Sequence, residues 1–303
     1  MRMLFTKEGA SIWSSHLDLM RALMRSFRRA GIDLKHSQGF TPHPELSILM
    51  PLSVGVESQC EIAEFTLAEG CALAPEEIVS RLNPVLPSGI RALDCWEGGR
   101  KAGKLAWLRA RLTLAYEATG NGQQATGDGR CAHACRDGSQ PSAAPGFDEA
   151  TGNRQQATGD GGTDSSAPLR SAQNDRLAAL RALFARPSIV VEKHGKKGVV
   201  ETDIAPMIRE LTVSAAGAVI GSPEEGSGIK DQGSEDGGNG FLAPLEMTGE
   251  NAVVIEAVVA AQNPTLNPLL LVAAIETWLP EQKPDHVQCR RIEIYDADMK
   301  PFR

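Results

Sequence analysis

The chain has 303 residues, enough for about two domains of roughly 100 to 200 residues each, and this excludes the small disulfide-stapled scaffolds. Its composition, 42% hydrophobic and 5% aromatic, is that of a globular protein, but 30 Gly and 18 Pro point to unstructured segments averaged in. The formal net charge of −7 sits in two tracts: residues 118–175 carry 4 basic against 7 acidic side chains and residues 218–251 carry 1 against 7, leaving 26 against 24 elsewhere. That balance, about +2, does not exclude a polyanionic partner.

The first elements follow a regular order. Residues 1–6 predict a short apolar strand, and residues 15–30 a helix opened by the capping-box-like pair Ser15 and Asp18 and closed by Gly31. Residues 46–52 and 61–67 read as strands, Pro75-Glu76-Glu77 starts a helix reaching about Leu86, and residues 90–96 supply a last strand. The order is β-α-β-β-α-β, a ferredoxin-like unit over residues 1–98.

A polar tract then intervenes. The segment EATGNGQQATGDG at 117–129 returns as EATGNRQQATGDG at 149–161, with Gly122 against Arg154 the one difference. Such a copy has no apolar period to bury, so about 118–175 predicts a disordered insertion, and the Gly-, Ser- and acid-rich stretch at about 218–250 predicts a second. Around these, strands are expected at 105–117, 188–193, 208–214, 252–260 and 287–295. Helices are expected at 176–185 and at 267–279, the latter with Asn267 as N-cap and Pro268 at the first position. Residues 104–303 thus read as a second, looser ferredoxin-like module, and the fold class as α+β with two tandem modules and two long insertions.

The six cysteines, at 60, 71, 95, 131, 135 and 289, lack the paired short spacings of a zinc site or disulfide framework. Reduced thiols and no metal are expected, even where His133 stands between Cys131 and Cys135. The N-terminus lacks the pattern of a secretory signal, and no run of roughly 18 apolar residues occurs, so a cytoplasmic protein without membrane contact is expected.

Stepping about 100° per residue along the first helix places Asp18, Arg21, Arg25, Arg28 and Arg29 on one face, and Leu19, Met20, Leu23, Met24 and Phe27 on the other. The basic face is a solvated helix surface supported by Asp18, or a phosphate-contacting stripe, with Lys7 and Lys35 as further contacts. His16 falls on the side facing the sheet. The segment His36-Ser37-Gln38-Gly39-Phe40-Thr41-Pro42-His43-Pro44 packs hydrogen-bonding groups into a stiff loop, with Pro42 and Pro44 fixing φ and Gly39 permitting a strained backbone, and so presents His43.

Three segments, Ser15-His16-Leu17-Asp18-Leu19-Met20-Arg21, Ser37-Gln38-Gly39-Phe40-Thr41-Pro42-His43-Pro44 and Pro51-Leu52-Ser53-Val54-Gly55-Val56-Glu57-Ser58, resemble the signature of the radical-SAM-linked domain-of-unknown-function family. The resemblance covers roughly residues 1–96. It implies a radical SAM protein as partner in trans, because members of that family stand alone or fused behind such an enzyme. The chain itself has no C-x3-C-x2-C run, so an iron–sulfur cluster and SAM are expected on the partner only, and no cofactor on this protein. P-loop, dinucleotide-binding and nucleophile-elbow motifs are also absent from the sequence.

Three functional readings follow. In the first, the protein is a non-catalytic accessory module that binds an RNA or protein substrate for the radical SAM enzyme, using Asp18, Arg21, Arg25, Arg28, Ser37, Gln38 and Phe40. In the second it is a metal-independent RNA-processing enzyme with His16 and His43 as base and acid. In the third it is a protein-docking scaffold.

Overall fold

The computed structural model describes residues 1–117, 167–195, 198–216 and 251–303. Both expected insertions lie outside the described residues, with one correction: residues 167–175, read as part of the first insertion, are helical and begin the third helix, Ala167–Phe184. Ala, Leu, Arg and Gln are good helix formers, and this stretch continues into the apolar period of residues 177–184.

The elements are β1 (Arg2–Lys7), α1 (His16–Arg29), β2 (Leu46–Ile48), β3 (Val56–Phe65), α2 (Pro75–Leu82), β4 (Ile90–Trp96), β5 (Leu105–Ala115), α3 (Ala167–Phe184), β6 (Val190–Gly195), β7 (Gly198–Asp203), β8 (Ile208–Ala215), β9 (Ala252–Ala260), α4 (Leu269–Trp278) and β10 (His286–Asp296). The protein is therefore a mixed α+β fold, with four α-helices among the described residues. An 8-stranded sheet runs in the order β4-β1-β3-β10-β5-β9-β8, with β2 also paired to β3, and β6 and β7 form a separate two-stranded ribbon.

Within each half the neighbouring strands of this sheet are antiparallel. In the first half, β1 to β4 lie in the order fourth, first, third, second, and in the second half β5, β8, β9 and β10 repeat that order. The halves meet where β10 pairs in parallel with β3, Cys289 against Val56 through Arg291 against Ser58. A single sheet shared by the two halves is not anticipated by a reading of two consecutive modules.

Alternation along β1 divides the core. Met3 and Phe5 join Leu19, Leu23 and Phe27 of α1 and Ile78 and Leu82 of α2 in one buried cluster. Leu4 belongs instead to the larger cluster, which holds Ile62, Phe302 and the apolar residues of β5, β9, α3 and α4. The C-terminal tail is part of this core: Phe302 is fully buried, its N–H donates to the Ile294 carbonyl at 2.8 Å, and the Arg2 guanidinium lies 5.4 Å from its ring centroid.

Several elements differ from expectation: β7 is not among the expected strands, and α4 starts at Leu269 with Pro268, not Asn267, at the cap. β2 is only three residues long, and β3 starts at Val56 rather than Glu61. α2 ends at Leu82, short of Leu86. Among the described residues no helix is long and apolar enough to cross a membrane.

Candidate functional site

The first helix is positioned by its cap. The Ser15 hydroxyl accepts the Asp18 N–H at 3.2 Å and donates to the Asp18 carboxylate at 2.7 Å, while Arg21 pairs with the same carboxylate at 3.1 Å. The Ser15 hydroxyl, followed by Arg21, holds the Asp18 carboxyl below the usual carboxylate range. Leu19, Leu23, Ser26 and Phe27 are buried, whereas Arg21, Arg25, Arg28 and Arg29 are exposed, as the helical period predicts.

That exposed face borders a cleft. Arg21, Arg25, Arg28 and His36 rim a cavity of about 400 Å³, floored by Met24, Phe27, Ile32 and Leu34, with Asp33 the acidic residue on its wall. Arg21 is engaged with Asp18, but Arg25 and Arg28 form no ion pair among the described residues. The cleft therefore offers two uncommitted guanidinium groups beside an apolar surface, an arrangement suited to an anionic group on an apolar or aromatic body.

The far wall is the loop between α1 and β2. Leu34 pairs with Leu67 and His36 with Pro44, so the segment folds back on itself. The Ser37 N–H donates to the His43 carbonyl at 2.9 Å and the His43 N–H to the Ser37 hydroxyl oxygen at 3.2 Å. His43 Nδ1 lies 3.0 Å from Ser37 Oγ and 3.2 Å from the Thr41 carbonyl. Ser37 and His43 thus brace the loop, leaving Nε2 of His43 outside this network. Gln38 is exposed, and Phe40 at the tip is fully exposed. Gly39 is not among the positive-φ residues, so the strained backbone expected there does not occur. Gly55, in the Pro51–Ser58 segment, does adopt a positive φ, +82°, and Gly89 has both a positive φ and a close approach, since an added Cβ would meet the Glu8 carbonyl.

His16, half-buried at the start of α1, makes no side-chain hydrogen bond among the described residues, and it does not line the shallow cavity that holds His43. No hydrogen bond joins the two histidines among the described residues.

Lys7 is not a phosphate contact. It is fully buried, and its Nζ donates to the Ile12 carbonyl at 3.2 Å and the Ser14 carbonyl at 3.0 Å. Burial lowers its pKa, opposed by the charge of Glu61 and reinforced by that of Arg291. Lys35 remains exposed. The Ile12 carbonyl also accepts the Gly55 N–H at 2.9 Å, which ties the Ser15-His16 segment to the Pro51–Ser58 segment.

Beneath these segments lies an ion pair that sequence reasoning missed. Buried Glu61 pairs with buried Arg291 at 2.8 Å, and Arg291 also donates to the Met50 carbonyl at 3.1 Å and the Pro51 carbonyl at 3.4 Å. Next to it, Arg290 pairs with buried Glu57 at 2.6 Å. The available signal was the acidic residues of β3 and the paired arginines of β10 standing beside apolar residues.

Among the described residues no group of three or more His, Cys, Asp and Glu side chains is placed to hold a metal ion. Cys60, Cys95 and Cys289 are free and buried, and burial raises all three thiols, Cys95 to about 11 and Cys289 to about 12, which makes them poor nucleophiles. Cys131, His133 and Cys135 lie outside the described residues.

Residues 1–232 match the model of a family described as an uncharacterized protein conserved in bacteria (DUF2344). The chain belongs to that family. The DUF2344 match takes in both the arginine-rimmed cleft and the elements from α3 to β8. No curated protein matches the chain.

Proposed function

We propose that this DUF2344 protein is an accessory module that binds an RNA substrate for a radical SAM enzyme acting in trans. The observation that carries the binding role is the cleft on α1, where Arg25 and Arg28 stand without carboxylate partners over an apolar floor. Guanidinium groups bind phosphate oxygens through paired N–H donors, and an apolar floor accepts a base or ribose face. The exposed Phe40 adds a stacking surface on the neighbouring loop.

The radical SAM partner is inferred from the resemblance of residues 15–21, 37–44 and 51–58, and the iron–sulfur cluster and SAM belong to that partner. Two tandem ferredoxin-like modules are the architecture proposed for the binder, supported by the strand order fourth, first, third, second in both halves. An intrinsic histidine-based RNA-processing activity is the alternative reading, and no hydrogen bond between His16 and His43 supports it among the described residues.

The test is RNA binding and cleavage by the purified chain over a salt series, with and without the cognate radical SAM protein. The expected result is binding that weakens with salt, without cleavage, and a flatter salt dependence when Arg25 and Arg28 are replaced by Gln. Unaided cleavage abolished by His43→Ala would replace the accessory reading with the enzyme. Absence of RNA binding, alone and with the partner, would leave the docking scaffold.

A further inference from the structure

The second half contains a cleft that the first half's architecture explains. A cavity of about 560 Å³ opens between α3 and β8, with Arg181, Arg186 and Arg209 around it and Phe184, Leu211 and Val213 on its apolar side. It is built like the cleft on α1. In each half the wall includes the C-terminal part of the helix after the first strand and the chain leaving that helix; the first cleft is completed by the loop before β2, the second by β8 itself.

The three arginines are not equivalent. Arg181 donates twice to the Val213 carbonyl, at 2.8 and 3.2 Å, and so is spent tying α3 to β8. Arg186 lies 4.8 Å from the centroid of the Trp278 ring and Arg209 5.2 Å from that of Trp107. A guanidinium stacked on an indole is held in orientation while its N–H edge stays available. Both arginines are exposed and neither pairs with a carboxylate among the described residues; neighbouring Glu210 forms no ion pair with either. Arg186, just past the end of α3, and Arg209, on β8, thus share with Arg25 and Arg28 of α1 the absence of a carboxylate partner, though they stand at different places in the half.

The two clefts are also within reach of one ligand. β2 and β10 pair with the same edge of β3, and β8 lies three strands beyond β10. At about 4.8 Å per strand the lateral separation is roughly 15 Å, a span for several nucleotides.

We infer that Arg186 and Arg209 form a second phosphate-binding cleft and that a single RNA strand runs between it and the Arg25–Arg28 cleft. The inference rests on the RNA reading above and adds the path of the strand. The experiment uses the full chain and a fluorescently labelled oligouridylate of about 12 nucleotides, with binding followed by anisotropy at several salt concentrations. R25Q/R28Q and R186Q/R209Q should each weaken binding and flatten the plot of log K against log salt by about 1.4, at roughly 0.7 for each single-strand phosphate that is no longer neutralised. Lysine at positions 186 and 209 should restore much of the slope.

If R186Q/R209Q binds like the unaltered chain while R25Q/R28Q is weakened, the second cleft is refuted and the first reading stands. If only R186Q/R209Q is weakened, the two-cleft path is refuted. If the unaltered chain does not bind the oligomer, the RNA reading and this inference fall together. Uridine monophosphate that competes as well as the oligomer would assign the second cleft to a free phosphate compound and overturn the strand. Thermal melts verify folding, and R209Q alone, which leaves the Trp278 stack in place, decides the question if the paired variant does not fold.

Discussion

Lys7 shows how one side chain serves the motif above it without touching a ligand. A buried ammonium loses hydration, and the two carbonyls it meets, those of Ile12 and Ser14, return only part of that loss. The result is the lowered pKa, since the neutral amine loses less on burial than the ammonium does. The sign of the linkage follows: with a folded-state pKa below the unfolded value of 10.5, the charge on Lys7 costs stability at neutral pH, and the cost is relieved as pH rises through the folded value toward 10.5. Replacing Lys7 by Met removes the charge but leaves the Ser14 carbonyl without this donor and the Ile12 carbonyl with Gly55 alone. The unpaired acceptor dominates, so Lys7→Met should destabilise the protein by about 1–3 kcal/mol, read as a lower urea midpoint at unchanged slope. A variant as stable as the parent would mean that Lys7 is not the anchor of the segment before His16.

At the scale of elements, α1 depends on its cap, and the cap also sets the charge pattern of the basic face. Ser15→Ala should cost about 1 kcal/mol and raise the Asp18 pKa, because the Ser15 hydroxyl is the largest influence holding it down. An Asp18 titration followed by NMR that did not move would contradict this account. α1 was readable from sequence because everything that makes it, cap, period and terminal Gly31, lies within about one helix length. The arginine face was readable for the same reason, and it does border a cleft. β3 was not. Its first residues include Glu57, Ser58 and Gln59, which look like loop, and they become strand because Arg290 and Arg291 arrive from more than two hundred residues away to pair Glu57 and Glu61. The same distance hid the role of Lys7, whose burial depends on the fold of β3 and β10 around it. The element sequence of the first half was legible, but in the second half the strand at 188–193 joins β7 in a separate ribbon, and the β3–β10 junction depends on pairings between distant segments that no local pattern encodes.

Across the whole molecule, the two halves are joined by more than a shared edge. The β3–β10 pairing, the Glu61–Arg291 and Glu57–Arg290 ion pairs and the Arg100–Asp296 pair all link the first part of the chain to its last strand. The last strand also carries the tail that buries Phe302 beside Arg2. Neither half keeps a complete core without the other, since Leu4, Val56 and Ile62 of the first belong to the cluster of the second. Heat should therefore unfold both together, with calorimetric and van't Hoff enthalpies equal and with Trp96 and Trp107, read in single-tryptophan variants, reporting one midpoint. Acid should act on both halves as well. Backbone N–H bonds from Lys300 and Asp298 and the charge of Arg100 hold Asp296 below its ordinary 3.8, and Asp18 in the first half is lowered too. A carboxyl with a depressed folded-state pKa contributes stability above its unfolded value, and that contribution is lost as pH falls through the folded one. The common midpoint should stay nearly level down to about pH 4 and then drop for both tryptophans in parallel. Two separated transitions, or an acid response confined to one reporter, would show that the shared strand edge does not couple the halves.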